Sequence, residues 1–414
     1  MRIVQLNTYD LTGGASRACL RLVQALAVAG ADVRLLVREQ GSAETVVGAV
    51  DSRRGGRLRA LIDGLPLHRY PRRFRHNFSA AWVPGRGLTT AAALRPDLLH
   101  LHWIVEGFVQ IEAMRRLPAP IVWTLHDSWP FTGGCHLPGN CRRYEKSCGC
   151  CPVLGSSREG DLSRRVWARK SAAWAKLQLT CVAPSRWLAD CARASSLLRD
   201  HRVEVIPNGV DTALYRPADQ RAAREALRLP TDRRLILFGA NHALSDVNKG
   251  FDLLQASLKS LEPVQRNKAE LVVFGDHTGR QIPPCGLPVR NLGIVTDESR
   301  IVLLYQAADL FVAPSRQENL PNMVLEAMAC GTPCVAFDVG GLPDLINHGT
   351  NGYLARPYEA EDFCRGISWV LADETRRLTM ASHSRGKIVT GFSLEHVAGR
   401  YLELYCELVS TKEG

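Results

Sequence analysis

The stretch 310–341 constrains the fold most, because its apolar runs and turn residues follow one another in a fixed order. The runs 310–313 and 333–337 are short and wholly apolar, which predicts two buried strands. Between them Pro321 suits the start of a helix, where its missing N–H is not needed, and Gly331 suits its end. The stretch therefore predicts a strand–loop–helix–strand unit, and with it an α/β fold.

Two carboxylates lie in this unit, Glu318 in the loop and Glu326 inside the predicted helix. The helix N-terminus at Pro321 offers free N–H groups and a partial positive charge, which suit a diphosphate. A carboxylate accepts hydrogen bonds from neighbouring sugar hydroxyls, so the pattern favours a nucleotide-sugar site. The alternative is an ordinary αβ unit with one surface glutamate and one glutamate that solubilises the helix.

Glu318, seven residues and then Glu326, followed by Ala-Met-Ala-Cys-Gly-Thr-Pro-Cys-Val-Ala, resemble the E-x7-E signature of retaining glycosyltransferase family 4. The resemblance extends over nearly the whole chain. It implies the GT-B fold, in which two Rossmann-like domains with parallel sheets face each other across a cleft. It also implies a hexosyltransferase that moves a sugar from a nucleoside-diphosphate sugar to a hydroxyl acceptor, with no catalytic cofactor, in polysaccharide or glycoconjugate assembly.

By the same resemblance, Glu318 contacts the donor sugar and Glu326 the nucleotide ribose. The backbone between them is expected to meet the sugar and the phosphates, and the segment around Gly293 the nucleobase. The residues assigned in this way to donor binding are Asn319, Leu320, Pro321, Asn322, Gly293 and Ile294.

Lys249 lies at the predicted start of a helix, where a cation is repelled by the positive end of the helix dipole. The sequence therefore predicts an anionic partner for Lys249, and the resemblance implies the donor diphosphate. Family members usually carry an arginine a few residues earlier. Ala240, Asn241 and His242 occupy that place here, so the sequence identifies no second phosphate cation.

In the first half of the chain, Gly13 and Gly14 follow the predicted first strand, 1–7, and precede a helix predicted over 17–29. A glycine turn lets a backbone approach a ligand closely. The full G-x-G-x-x-G pattern is missing, so a plain βα turn is the alternative. The resemblance places this loop near the donor phosphate and the acceptor.

His126 ends the strand predicted at 120–126, at the edge where α/β sheets bind ligands. The resemblance implies that it faces the donor sugar near the reacting carbon, whereas a structural histidine paired with Asp127 is the alternative. His100 and His102 end the preceding strand and are weaker candidates for the same cleft.

The segment 132–154, TGGCHLPGNCRRYEKSCGCCPVL, shows no apolar periodicity, which predicts a loop that needs a cross-link to be stable. Four thiolates that bind a structural Zn²⁺ would provide such a cross-link. Cys150 and His136 are substitute ligands, and an iron–sulfur cluster or two disulfides are alternatives. A similar cysteine-rich insert follows the motif H-D-x-W-P-F-T-G-G-C-H, residues 126–136 here, in a subgroup that resembles exopolysaccharide and colanic-acid-type glycosyltransferases. The four predicted ligands, with no catalytic part, are Cys135, Cys141, Cys148 and Cys151.

The chain has 414 residues, which predicts two domains: 1–207 on the acceptor side and 208–393 on the donor side, with a last helix, about 394–414, returning to the first. The net charge of +11 is uneven. Residues 1–208 carry 30 basic and 16 acidic side chains, and the remainder 22 and 25, giving +14 and −3. No nucleic-acid-binding module is recognisable, so an anionic membrane surface is the preferred partner.

Residues 53–75 hold eight arginines and one acidic residue between apolar side chains, which predicts a stretch that docks on an anionic bilayer; a solvated insertion is the alternative. No apolar run reaches a membrane span, and the N-terminus lacks a signal peptide. The expectation is a cytoplasmic protein, peripheral on the inner face of the cell membrane, with a lipid-linked acceptor. The rival classes are a GT-B epimerase or phosphorylase, and a non-catalytic nucleotide-sugar-binding protein.

Overall fold

The structure, a computed structural model, describes residues 1–74, 78–116, 120–276, 279 and 282–410. Its contacts divide the chain into two compact units. Unit 1 is Met1–Pro207 together with the chain from Val397 onward, and unit 2 is Asn208–His396.

Unit 1 is built on a parallel sheet of seven described strands in the order β3-β2-β1-β4-β5-β6-β7. The strands are β1 Arg2–Tyr9, β2 Asp32–Glu39, β3 Val47–Ala49, β4 Leu98–Leu101, β5 Ile121–Thr124, β6 Leu179–Ala183 and β7 Arg202–Val205. The helices between them are α1 Gly13–Val28, α2 Arg53–Gly64, α3 Gly87–Ala93, α4 Leu162–Trp174 and α5 Arg186–Ala194. Short 3₁₀ turns lie at Leu65–Arg69, Ile111–Arg116, Arg143–Glu145 and Pro152–Leu154.

Unit 2 is built on a parallel sheet of six described strands in the order β10-β9-β8-β11-β12-β13. They are β8 Arg234–Gly239, β9 Ala269–Phe274, β10 Val289–Asn291, β11 Leu310–Ala313, β12 Cys334–Phe337 and β13 Gly352–Ala355. The helices are α6 Gln220–Leu227, α7 Phe251–Lys259, α8 Pro263–Asn267, α9 Glu298–Ala307, α10 Asn322–Ala329, α11 Leu342–Leu345, α12 Ala360–Ala372 and α13 Glu374–Gly391, with a 3₁₀ turn at Val247–Lys249. The last helix, α14, is Leu394–Ser410.

The central strands β4, β5, β11 and β12 are wholly buried, as parallel strands between helices are expected to be. In unit 2, Phe311 of β11 packs in one core and Val312 in the other, because successive side chains of a strand point to opposite faces. In unit 1, α14 covers one face of the sheet with Tyr401 and Tyr405. The predicted α/β class with two parallel-sheet domains is confirmed.

Some predicted boundaries and one packing prediction were wrong. Helix α1 begins at Gly13 rather than at residue 17, so the glycine turn forms the first turn of the helix. The cysteine-rich segment is not coreless: Tyr144, Val153 and Leu154 are buried in the main core of unit 1. Their irregular spacing hides this packing from a search for periodicity.

The arginine-rich stretch forms α2 and the 3₁₀ turn that follows it, up to the end of the described segment at Phe74. Arg75, the last arginine of the predicted stretch, lies outside the described residues. Within the described chain, every helix is too short or too polar to cross a bilayer.

Candidate functional site

The predicted diphosphate cation and the predicted sugar carboxylate of unit 2 contact each other directly. Lys249 Nζ lies 2.6 Å from Glu318 Oε1, and both side chains are largely shielded from water. Burial disfavours the charged lysine, but the adjacent carboxylate more than compensates, so the pKa of Lys249 is raised. The structure therefore gives Lys249 an anionic partner, Glu318.

Two glycines bring the two loops of this ion pair into contact. Gly250 follows Lys249 with φ of +69°, and a Cβ there would lie 1.9 Å from the carbonyl oxygen of Pro314. Gly340 has φ of +57°, and a Cβ there would lie 1.8 Å from the carbonyl oxygen of Glu318. Only glycine permits both the left-handed backbone and these approaches, so Gly250 and Gly340 position the ion pair.

Glu326 lies inside α10, is 2% exposed, and accepts a hydrogen bond of 2.9 Å from the hydroxyl of Tyr305 on α9. Sequence reasoning missed Tyr305, because its partner lies 21 residues away and only packing of α9 on α10 joins them. The pKa of Tyr305 is raised by burial and by Glu326, so Tyr305 stays a proton donor.

Asn208, at the start of unit 2, holds the segment that leads into α10. Pro321 is the N-cap, one residue before the helix, rather than its first residue. Asn208 Nδ2 donates to the carbonyl of Leu320 at 3.3 Å and to Oδ1 of Asn322 at 3.2 Å. The segment Asn319–Asn322 thus lies at a helix N-terminus, as predicted from its sequence.

The predicted nucleobase segment follows β10. Gly293 adopts φ of +62° and its carbonyl accepts from the N–H of Gly275, while Ile294 is 55% exposed. His242, where family members carry an arginine, has φ of +59° in the turn after β8. Residues 240–248, which form this turn, contain no arginine or lysine, so the second phosphate cation of the family has no counterpart in it.

In unit 1, the partly buried His126 forms a hydrogen-bonded series with the buried His102 at the ends of β4 and β5. His102 Nδ1 lies 2.9 Å from His126 Nε2, and His102 Nε2 lies 2.8 Å from Gln5 Oε1. Deeper in the sheet, His100 contacts Thr124 at 2.7 Å and Tyr405 at 2.6 Å. His102 therefore orients His126 directly, and His100 lies behind it in the core.

The hydrogen bonds from Gln5 through His102 fix the tautomer of His126. With Gln5 Oε1 as the acceptor, His102 carries its proton on Nε2, and its Nδ1 accepts from Nε2–H of His126. Burial lowers the pKa of His126 to about 4, against the opposing charge of Asp127. His126 is therefore a neutral imidazole at neutral pH.

Asp127 was the alternative partner predicted for His126, but its carboxylate pairs with His136. The sequence analysis had considered His136 only as a metal ligand. His136 Nδ1 lies 2.7 Å from Asp127 Oδ2, and His136 Nε2 lies 2.8 Å from Ser79 Oγ. Ser79 and His136 are 57 positions apart, so no local pattern in the sequence predicts this pairing.

Gly13 and Gly14 lie in the first turn of α1, whose Ser16 hydroxyl accepts a hydrogen bond from Asn7.

The four candidate zinc ligands line one cavity of about 10 Å³. Cys135 and Cys151 hydrogen-bond each other, which raises the pKa of Cys135 and lowers that of Cys151, and burial raises the pKa of Cys148 to about 12. Within the described ranges, no three His, Cys, Asp or Glu side chains are placed to hold a metal ion. The Zn²⁺ site therefore stays a prediction.

A model of Glycosyltransferase Family 4 matches residues 12–214, and a model of Glycosyl transferases group 1 matches residues 233–373. The chain belongs to the family 4 glycosyltransferases. The predicted family and the predicted transferase activity are thereby confirmed.

Relatives of this glycosyltransferase include two D-inositol 3-phosphate glycosyltransferases. The one from Xylanimonas cellulosilytica is 29% identical over 95% of this chain and 92% of the relative. The one from Catenulispora acidiphila is 30% identical over 68% of this chain and 64% of the relative.

Two solved structures show the same fold. Sucrose-phosphate synthase from Thermosynechococcus elongatus has a TM-score of 0.70 at 19% identity, covering 99% of this chain and 100% of the other. HepE from Anabaena, solved with UDP-glucose, has a TM-score of 0.67 at 20% identity, with the same coverage. The likeness confirms the predicted GT-B class.

The neutral histidines of this glycosyltransferase predict its response to acid. Burial lowers the pKa of His126, His102 and His100 below the unfolded value of about 6.5. Between about pH 6.5 and about pH 4 the unfolded chain binds protons that the folded chain refuses, so stability is lost as pH falls through this window. His136 lowers the pKa of Asp127 against the effect of burial, so Asp127 reduces the stability of the fold only when the pH falls below its usual pKa of 3.8.

We therefore expect the urea midpoint of the wild type to fall on acidification through this window, and to fall less in His126→Gln. The initial rate should show no protonation step near the ordinary histidine pKa. A histidine-like step in the rate that disappears in His126→Gln would contradict a neutral, buried His126.

Proposed function

We propose that this glycosyltransferase transfers a hexose, with retention, from a nucleoside-diphosphate sugar to a hydroxyl acceptor in polysaccharide or glycoconjugate assembly. The observation that carries the proposal is the ion pair of Lys249 and Glu318 in the same unit as the N-terminus of α10. The cation and the helix N-terminus suit a diphosphate, and the carboxylate suits sugar hydroxyls.

The ion pair suggests how the donor is received. Glu318 neutralises the largely buried Lys249, so neither charge is left uncompensated. When a diphosphate binds, Lys249 turns to the phosphate oxygens, and Glu318 becomes available to accept hydrogen bonds from the sugar. Lys249 and the helix N-terminus then stabilise the negative charge that develops on the leaving diphosphate.

The neutral state of His126 restricts its part in the reaction. An imidazole with one N–H donates one hydrogen bond and accepts another, and it adds no positive charge beside an oxocarbenium-like sugar. We assign His126 to a hydroxyl of the donor sugar, oriented by His102. The leaving phosphate, rather than a protein base, takes the acceptor proton during attack on the same face as the leaving group.

Two structural neighbours support a nucleotide-sugar donor: one is a sucrose-phosphate synthase, and another was solved with UDP-glucose. A GT-B epimerase, a phosphorylase or a non-catalytic binder would share the fold. The product separates these classes: a glycosyltransferase releases the nucleoside diphosphate, an epimerase an isomer of the nucleotide sugar, a phosphorylase a sugar phosphate, and a non-catalytic binder leaves the donor unchanged.

Glu326→Ala should weaken binding of the free nucleoside diphosphate by about 1–3 kcal/mol, the scale of a hydrogen bond to a charged group, measured by calorimetry. Glu318→Ala should leave that affinity within a few fold and reduce turnover of the nucleotide sugar. Tyr305→Phe serves as the control for Glu326, since it removes only the hydroxyl that donates to the carboxylate. Unchanged nucleotide affinity in folded Glu326→Ala would show that the ribose assignment is wrong.

We further propose that unit 1 docks on an anionic membrane that presents a lipid-linked acceptor. Leu58, Leu61 and Leu65 are spaced three and four residues apart along α2 and its end, and each is more than half exposed. Exposed arginines flank them, among them Arg54, Arg69 and Arg72. Apolar side chains beside cations match the interface of an anionic bilayer, where each cation contributes roughly 1 kcal/mol.

Vesicle co-sedimentation tests this docking. The wild type should pellet with anionic vesicles at low salt and much less at high salt, because the attraction is screened. Replacing Arg54, Arg69 and Arg72 with Ser should remove most of the binding. Replacing Arg221, Lys268 and Arg300, exposed cations of unit 2, should not. Equal pelleting with neutral and anionic vesicles would rule the proposal out.

We also propose that a structural Zn²⁺ draws together the thiols of Cys135, Cys141, Cys148 and Cys151. Cys148 Sγ accepts from the N–H of Gly133 at 3.1 Å, a contact that favours a thiolate. The fully buried Lys170 donates to the carbonyls of Trp129 and Thr132 and lies near Cys148. Burial lowers the pKa of Lys170, and an anionic zinc–thiolate centre would supply the charge that keeps it protonated.

Elemental analysis should find about one zinc per chain, the content of a closed four-ligand site. Cys148→Ser should lose the zinc and melt at a lower temperature. Cys150→Ser, which replaces a neighbouring thiol outside the cavity, should keep both. A zinc-free preparation with unchanged melting temperature would refute the site and leave the transferase assignment intact.

A further inference from the structure

Unit 1 contains a cavity of about 1230 Å³ that none of the predicted site residues explains. It lies beyond the ends of β1 and β2 and is bounded by α2, so its described lining comes from unit 1 alone. Its volume exceeds that of a typical small-ligand pocket, so it has room for more than one sugar ring.

The charges on its described lining nearly cancel. Four arginines and five carboxylates line it, which leaves a formal charge of −1. Arg38 pairs with Glu106 at 3.5 Å, and Arg53 and Arg57 both approach Glu39, at 2.7 and 4.0 Å. The excess of positive charge in this half of the chain is therefore not concentrated on the described wall of the cavity.

One carboxylate of the lining is compensated by backbone alone in the part of the chain that the structure describes. Asp10 is 2% exposed and accepts from the N–H groups of Gly41 and Ser42 at 2.8–3.0 Å. A carboxylate held in this way repels a phosphate but accepts hydrogen bonds from hydroxyl groups.

An aromatic pair completes the lining. The rings of Tyr9 and Trp103 lie nearly parallel, with 25° between their planes and 6.3 Å between their centroids. Both rings are partly exposed and line the cavity. His136 lies 5.7 Å from Trp103 between ring centroids, and both His136 and its partner Ser79 are lining residues of the cavity. Aromatic faces among fixed hydroxyl acceptors suit the alternating apolar and hydroxylated faces of a sugar.

We propose that this cavity binds the acceptor and that the part of the acceptor it receives is an uncharged saccharide. The proposal rests on the proposed glycosyl transfer and names its acceptor class. It separates this chain from the relatives named for inositol 3-phosphate, because a phosphate would meet a described lining whose arginines are largely paired with carboxylates and whose formal charge is negative. The sugar ring lies on Trp103, and its hydroxyls donate to Asp10 and Glu106.

Binding to a glycan array of uncharged, uronate-containing and phosphorylated oligosaccharides, with inositol 3-phosphate as a soluble competitor, tests the proposal. The full chain should retain uncharged glycans, with little change between low and high salt, and inositol 3-phosphate should not displace them. Trp103→Ala should reduce retention about tenfold, the loss of one aromatic stacking contact. Trp82→Ala, an exposed tryptophan outside the cavity, should not.

Glu106→Gln gives a second readout that does not depend on the tryptophan. It should weaken retention of uncharged glycans without creating binding of phosphorylated ones. Preference for phosphorylated glycans, or no retention of any uncharged glycan, would overturn the proposal. Hydrolysis of nucleotide sugars by the same preparations is measured alongside, so a wrong acceptor class is distinguishable from the absence of glycosyl transfer.

Discussion

The ion pair between Lys249 and Glu318 is the interaction on which the account of this enzyme depends. It joins the loop before α7 to the loop before α10, and Gly250 and Gly340 allow these loops to approach closely. A largely buried lysine and a largely buried carboxylate stabilise each other only while they remain paired or hydrogen-bonded. A nucleoside-diphosphate sugar is the kind of ligand that can separate this pair, because its phosphates can take Lys249 while its sugar hydroxyls can donate to Glu318.

In unit 1 the candidate site residue is an uncharged histidine, whereas in unit 2 the candidate site residues form a charged pair. His126 is kept neutral by burial and oriented by His102 and Gln5, while Asp127 is committed to His136. In the proposed mechanism, the positive charge comes from Lys249 of unit 2, and His126 of unit 1 supplies an oriented hydrogen bond rather than charge. The near-neutral lining of the cavity in unit 1 agrees with this division, because a hydroxyl acceptor needs orientation rather than charge.

Much of the fold could be predicted from the sequence, because β11, α10 and β12 each carry a local signature: apolar runs, a proline before the helix and a glycine after it. The pairing of Lys249 with Glu318 could not, since the two are 69 residues apart and only the parallel order of β8 and β11 brings them together. Tyr305 and the Ser79–His136 pair were missed for the same reason. The buried cysteine-rich segment was misjudged because its apolar residues follow no period.

The most direct test is the anomeric configuration of the sugar first released by the wild-type enzyme from a panel of UDP-, GDP- and ADP-hexoses, followed by proton NMR. The account predicts that at least one donor is consumed, that the sugar first appears with the configuration it had in the donor, and that Lys249→Ala and Glu318→Ala abolish the reaction. Consumption of no donor, an inverted product, or full activity in both variants would contradict it.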